Sequence, residues 1–252
     1  RLYIRIKMTG KVGFSMKRVL SIVCVGLILL LGGLCVVQTA RPGLLGRVWR
    51  RVFPEKPTAA AVIVPDEDFP YKQGEGLTLI VSERFPLAEA YVPDDLINLY
   101  EHKERSFELA RADIELRQPA FDAAQEMFTA AKADGVSGFI LSSGYRTRER
   151  QSELYAESSS GYVNAPGESE HELGLSFDVT ARTDESSFDK TEQFRWLSAH
   201  AHEYGFVLRY PVGKESLTGV PYESWHYRYV GIDAAQTIHD NGWCLEEYAA
   251  QE

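Results

Sequence analysis

Cysteine is scarce in this chain: three occur in 252 residues, and two of them, Cys24 and Cys35, sit inside one apolar run, leaving Cys244 alone in the remainder. A disulfide within the polar part of the chain is thereby excluded. So is a zinc site built of thiolates, and any metal must be held by His, Asp or Glu. Positive charge is scarce after residue 56. Residues 1–56 hold eleven Lys and Arg against the single acid Glu55, net +10, so the 16 bases and 35 acids that remain of 27 and 36 give −19. Phosphate binding rests on neutralisation by Lys and Arg, so a body of that sign argues against a nucleic-acid partner. No internal repeat is present. What remains, 44% hydrophobic and 12% aromatic, is ordinary for a globular chain and too apolar for a disordered one.

One long apolar run is there. From Val19 to Ala40 nothing ionisable appears except the two thiols, and the stretch is long enough to cross a hydrocarbon core of about 30 Å as a helix. We read it as an uncleaved signal anchor rather than a signal peptide, because cleavage after Ala40 would leave the large polar Gln38 at position −3. A lipoprotein signal needs small residues just ahead of its cysteine, and neither Cys24 nor Cys35 has a good set. Bases flank the run on both sides, so charge alone does not orient it; the globular mass beyond it favours export of the C-terminal side. Met8 and Met16 are alternative translation starts. The expected organisation is a short basic cytoplasmic segment over 1–18, a transmembrane anchor over 19–40, a flexible extracytoplasmic spacer over 41–76 marked by Pro42, Pro54, Pro57, Pro65 and Pro70, and a folded domain over 77–252. A monomer in the cell membrane, its domain outside, is expected.

Within the body, Leu77–Ser82 reads as a strand, and Pro119–Asp134, with Pro at its start, Gly135 at its stop and Phe121, Ala124, Phe128 and Ala131 on one face, reads as a helix. Phe139–Leu141 follows as a buried strand, and a charged helix runs from about Thr147 to Glu157. Leu175–Ala181 alternates apolar residues against Ser176, Asp178 and Thr180, the period of a strand with one polar face. Thr191–Tyr204 reads as a helix, Phe206–Tyr210 and Trp225–Val230 as strands, and a last helix begins near Asp233. Short strands interspersed with helices, without βαβ alternation, predict an α+β fold with an antiparallel sheet.

Three segments carry chemistry: Ser143-Gly144-Tyr145-Arg146 with Gln151, Ser169-Glu170-His171 through Asp178, and Glu223 through Arg228. Two His, one Asp and a Glu three residues before the second His are the parts of a hydrolytic zinc centre, which takes three protein ligands and keeps a fourth position for water. A nearby carboxylate can take the proton of an attacking water and hand it to the leaving amine, and Glu223 is the candidate. In a regular strand residues three apart face opposite sides, so Glu223 must lie in the turn before His226 or at a bulge. Arg146, at a strand end, is suited to binding a carboxylate or an oxyanion. Singly, each residue has a plainer reading as a structural or surface group, Trp225 as a packing residue included; the combination carries the inference.

In this combination the sequence resembles the VanY-type D-alanyl-D-alanine carboxypeptidases, zinc peptidases that trim cell-wall peptides. The resemblance covers roughly Leu77 to Tyr248 and includes SGYRTRERQ, SEHELGLSFD and ESWHYRYVG in order, together with LTLIVSERFPL, YGFVLRYPVGKESLTG and CLEEY. It implies one zinc ion on His171, Asp178 and His226, Glu223 as catalytic base, Arg146 in catalysis, and Gln151, Ser169, Tyr145 and Trp225 as substrate contacts. Ser224 stands where many relatives have Pro. The implied fold is α+β around a small antiparallel sheet. The implied activity is release of the terminal D-Ala from peptidoglycan stem pentapeptides or lipid-linked precursors, serving glycopeptide resistance or wall remodelling in a bacterium. The alternatives are an L,D-carboxypeptidase acting on tetrapeptides, which the short loop between Tyr155 and His171 disfavours, and a wall-peptide-binding domain without turnover.

Overall fold

A computed structural model describes residues 69–158, 163–183 and 185–251. The apolar run 19–40, the basic segment before it and the spacer up to residue 68 lie outside the described residues. Among the described residues no helix is long and apolar enough to cross a membrane.

In chain order the elements are β1 (Leu96–Asn98), α1 (Leu99–His102), β2 (Glu108–Leu109), β3 (Glu115–Arg117), α2 (Gln118–Ala133), β4 (Phe139–Ser143), α3 (Arg148–Glu157), β5 (Ser176–Ala181), α4 (Glu192–His200), β6 (Phe206–Leu208), α5 (Glu215–Thr218), β7 (His226–Tyr229), α6 (Ile232–Asn241) and α7 (Leu245–Ala249). Five strands form one sheet in the order β2-β4-β5-β7-β6, and β1 pairs with β3 in a separate ribbon. The fold is α+β as expected. The sheet is not wholly antiparallel, however: β2 runs parallel to β4 at one edge, while the other three pairings are antiparallel. An edge pairing only two residues long leaves no periodic trace in the sequence.

The helix α2 forms where the apolar spacing places it. Pro119 occupies its first turn, where a missing N–H costs nothing. Its buried residues, Ala120, Phe121, Ala124, Met127, Phe128 and Ala131, recur every three or four positions and make one stripe. Phe128 anchors that stripe to the sheet, its ring 4.9 Å from Phe139 and 5.8 Å from Phe177; truncating so buried an aromatic costs about 3–5 kcal/mol. A second apolar cluster gathers Tyr71, Ile80, Val207, Val230, Ala235, Ile238 and Leu245. Because Tyr71 is packed there, the folded body extends upstream of Leu77.

The stretch Leu77–Ser82 is not a strand: a single 3-10 turn covers Gly76–Thr78 and no ladder follows. Its carbonyls are satisfied by a side chain instead. Arg228, on β7 and fully buried, donates from Nη2 to the oxygens of Leu77 and Leu79 at 2.8 and 2.9 Å. The apolar composition reported burial correctly, but the partner that satisfies the backbone is a guanidinium rather than another strand.

Candidate metal centre

The sheet register brings the first two chemical groups together. Asp178 on β5 lies directly opposite His226 on β7, and Ser143 on β4 lies opposite Asp178. Side chains directly opposite on adjacent strands share a face, so this pairing sets the carboxylate beside the imidazole. His171 comes from a 3-10 turn, Glu170–Leu173, which ends on Gly174 at φ +68°. That left-handed backbone suits glycine, and a Cβ there would also crowd Arg117 Cγ at 3.0 Å and Leu96 Cδ2 at 3.1 Å.

His171 Nε2 is 3.3 Å from Asp178 Oδ2, and His226 Nδ1 is 3.2 Å from Asp178 Oδ1. All three donor atoms lie within 4.8 Å of one another. Two ligands about 2.1 Å from a tetrahedral ion stand about 3.4 Å apart, so the two measured edges are of the length zinc coordination requires. The remaining polar contacts agree. His171 Nδ1 donates to the Gly144 carbonyl oxygen at 2.8 Å, which leaves its Nε2 as the acceptor facing Asp178. Asp178 Oδ1 is buried and makes no hydrogen bond despite its neighbour. A donor set of two imidazoles and one carboxylate, with a lone pair aimed inward and an oxygen unclaimed, fits a zinc ion. Gly144 itself is dictated by close approach, because a Cβ there would run into the Glu115 carbonyl oxygen.

Burial opposes the ionisation of Asp178, yet the neighbouring imidazoles of His171 and His226 hold its carboxyl well below the usual range. His226, also against the effect of burial, is raised to about 9 by its contacts with Asp178 and Glu170. His171 moves the other way, pushed down by burial.

Glu223 precedes the strand. Ser224 and Trp225 form a turn, and His226 is the first residue of β7. Release from the strand's alternation lets Glu223 and His226 share a face, with Glu223 Oε2 3.7 Å from His226 Nδ1. Burial raises the Glu223 carboxyl to about 7, where proton acceptance and return at neutral pH are balanced. Arg146 is held as a fork: Nη1 donates to Gln151 Oε1 at 2.8 Å and Nη2 to Ser143 Oγ at 3.2 Å. Gln151 is fixed in turn by donating to the Asn164 carbonyl oxygen at 2.6 Å.

One cavity of about 170 Å³ is lined by Arg146, Gln151, Ser169, His171, Asp178, Glu223, Trp225 and His226 together. Of the residues expected at the site, Tyr145 does not line it. Its neighbour Arg146 takes the cavity side, and Tyr145 lies near Glu115, Glu149 and Tyr91. Trp225, 43% exposed, stands at the rim rather than in the core. Other contributors carried no assigned role in the sequence reading. Ser143 and Asn164 brace Arg146 and Gln151, and the buried Tyr210 sets its ring 5.0 Å from that of His226. Ser143 and Tyr210 lay within motifs already in view, but the bonds by which Ser143 and Asn164 act are encoded by no local pattern. A second cavity, of about 750 Å³, shares Val163, Asn164, Tyr210 and Val220 with the first and extends it towards Tyr71, Arg84 and Glu168.

Residues 113–232 match the family model of VanY, D-alanyl-D-alanine carboxypeptidase. The chain is similar to a D-alanyl-D-alanine carboxypeptidase of Enterococcus faecium, 36% identical over 176 residues, covering 69% of this chain and 57% of that protein. It spans a little over half the length of the first curated relatives it matches. Among solved structures it resembles the LdcB LD-carboxypeptidase, with TM-score 0.60 and 32% identity over 74% of this chain and 96% of that one. It also resembles a variant of the vancomycin resistance D,D-pentapeptidase VanY in complex with Zn(II), with TM-score 0.56 and 35% identity over 68% and 98% of the two chains.

Proposed function

Since the chain belongs to the VanY family of D-alanyl-D-alanine carboxypeptidases, we propose that it is a zinc-dependent D,D-carboxypeptidase that removes the terminal D-Ala from peptidoglycan stem pentapeptides. The observation that carries this reading is the convergence of His171, Asp178 and His226 within 4.8 Å of one another, in one cavity with Glu223 and Arg146. A zinc ion held by those three residues supplies Lewis acidity towards a peptide carbonyl and acidifies water at neutral pH. Glu223 takes one proton from the attacking water and returns it to the nitrogen of the leaving D-Ala, so that the C–N bond breaks as a C–O bond forms. Arg146, with its fork fixed by Gln151 and Ser143, presents positive charge to the substrate's terminal carboxylate or to the developing oxyanion. Ser169 and Trp225 are proposed to contact the substrate from the wall and rim. The adjoining 750 Å³ cavity gives the remainder of a stem peptide a place to lie.

The run Val19–Ala40 supports, by its length and lack of charge, a single membrane anchor with the catalytic body outside the membrane, facing wall peptides or lipid-linked precursors. The vancomycin-resistance neighbour supports a role in glycopeptide resistance. The test is D-Ala release from matched stem pentapeptide and tetrapeptide, with chelator and zinc add-back. Chelator-sensitive release from the pentapeptide alone is expected. Release from the tetrapeptide alone would make it an L,D-enzyme like the LdcB neighbour, and release from neither by zinc-loaded protein would make it a binding domain.

A further inference from the structure

Two buried polar atoms face each other behind the metal centre. His226 Nε2 and Glu170 Oε2 are both inaccessible to solvent, neither makes a hydrogen bond, and they lie 3.7 Å apart. Leaving a buried donor or acceptor unpaired costs about 1–3 kcal/mol each, and a shift of about 0.8 Å would bring the pair to an ordinary hydrogen-bond distance. The other oxygen of Glu170 is not at liberty to turn. Glu170 Oε1 accepts from Arg209 Nε at 2.6 Å and is 3.0 Å from Arg228 Nη1. Arg209 is itself gripped by Glu246, whose two oxygens accept from Nη1 and Nη2 at 2.9 and 2.6 Å. Every member of this cluster is fully buried.

From this geometry we infer that Glu170 is the positioning residue of His226: its Oε2 holds the proton on Nε2 and so keeps the Nδ1 lone pair turned towards His171 and Asp178. Arg209, Arg228 and Glu246 act through it by fixing the carboxylate. A carboxylate behind a metal-binding imidazole sets the tautomer and the ring plane, and its loss costs about 10–100-fold in metal affinity. The inference rests on the metal-centre reading above. It adds a role for Glu170 on the cavity wall and, through it, for Arg209, Arg228 and Glu246, which do not line the cavity, the last of them supplied by α7.

Two measurements on the full chain test it. In the zinc-loaded protein, histidine ring nitrogen NMR is expected to place the proton of His226 on Nε2, with slow exchange; a proton on Nδ1 would overturn the inference. The second measurement is zinc affinity by chelator competition. Glu170→Gln alone leaves a net buried positive charge and threatens the fold, so the variant is Glu170→Gln with Arg228→Gln, which keeps the remaining Arg209–Glu246 pair neutral. A dissociation constant raised about 10–100-fold is expected, with the circular dichroism of the native chain retained. Native-like affinity in that folded variant would overturn the inference while leaving the zinc reading intact. Failure of the native chain itself to bind zinc would overturn the reading on which both depend.

Discussion

Two ion pairs in this protein have the same length and opposite surroundings, and Glu246→Gln and Glu108→Gln compare them. Arg209 and Glu246 approach to 2.6 Å at 1% and 0% exposure, whereas Arg182 and Glu108 approach to 2.6 Å at 72% and 53%. The buried cluster sums to zero charge: Glu170 and Glu246 against Arg209 and Arg228. Glutamine at 246 keeps the shape and one acceptor but leaves a net positive charge that no water reaches, and breaking a buried pair in this way costs about 3–5 kcal/mol. The exposed pair gains little in water and its loss costs about 0–1 kcal/mol. For a body of this size 1 kcal/mol moves Tm by about 2–4 °C, so Glu246→Gln lowers Tm by about 6–20 °C and Glu108→Gln by no more than about 4 °C. Thermal and urea unfolding followed by circular dichroism read the difference, at matched zinc loading because a bound metal adds its own stabilisation. If the two variants fall within about 1 kcal/mol of each other, burial does not set the cost and the reasoning fails.

Glu223→Gln keeps the ligands and removes the base: D-Ala release should fall by about 10²–10⁴-fold with zinc stoichiometry unchanged by metal analysis, and activity within tenfold of native would take Glu223 out of the mechanism. Arg146→Lys retains the charge but not the fork to Gln151 and Ser143, and hydrogen bonds to a charged group are worth about 1.5–3 kcal/mol. Its kcat/KM should therefore drop about 10–100-fold in steady-state assays, and an unaltered value would show that the fork is not used. Burial pushes the Cys244 thiol up to about 12, so an aromatic disulfide reagent at pH 8 should titrate the same number of thiols in the folded native chain and in Cys244→Ser; one more in the native chain would contradict its burial.

The candidate metal centre was legible because such chemistry demands particular residue types, and those types stand in short motifs that need no long-range knowledge to notice. The turn placing Glu223 was also legible in part: strand alternation left only a turn or a bulge ahead of His226, and Pro221 favoured the turn. Periodicity served for α2 and β5, which are long enough to repeat. It failed for β1, β2 and β3, two or three residues each, where no period can be read. Leu77–Ser82 misled for a different reason, since its apolar side chains are buried as a strand's would be while its carbonyls turn to Arg228. Glu170 was printed inside a motif and still missed. Its partners arrive from β7 and from the residue after β6, and only the folded chain places a carboxylate between two guanidiniums and an imidazole.

The order of the buried cluster along the chain has a consequence for how the protein is made. Glu170 is synthesised first, then Arg209, then Arg228, and Glu246 last of all, on α7. A nascent chain that has reached β7 carries both guanidiniums of the cluster against only one of its two carboxylates. Enclosing that unbalanced charge is unfavourable, which opposes closure of the strands bearing Asp178 and His226 until Glu246 arrives. The cluster is thus completed from the far end of the body, and a chain interrupted between β7 and α7 would carry every proposed ligand and the proposed base yet lack the carboxylate that balances the charge behind them.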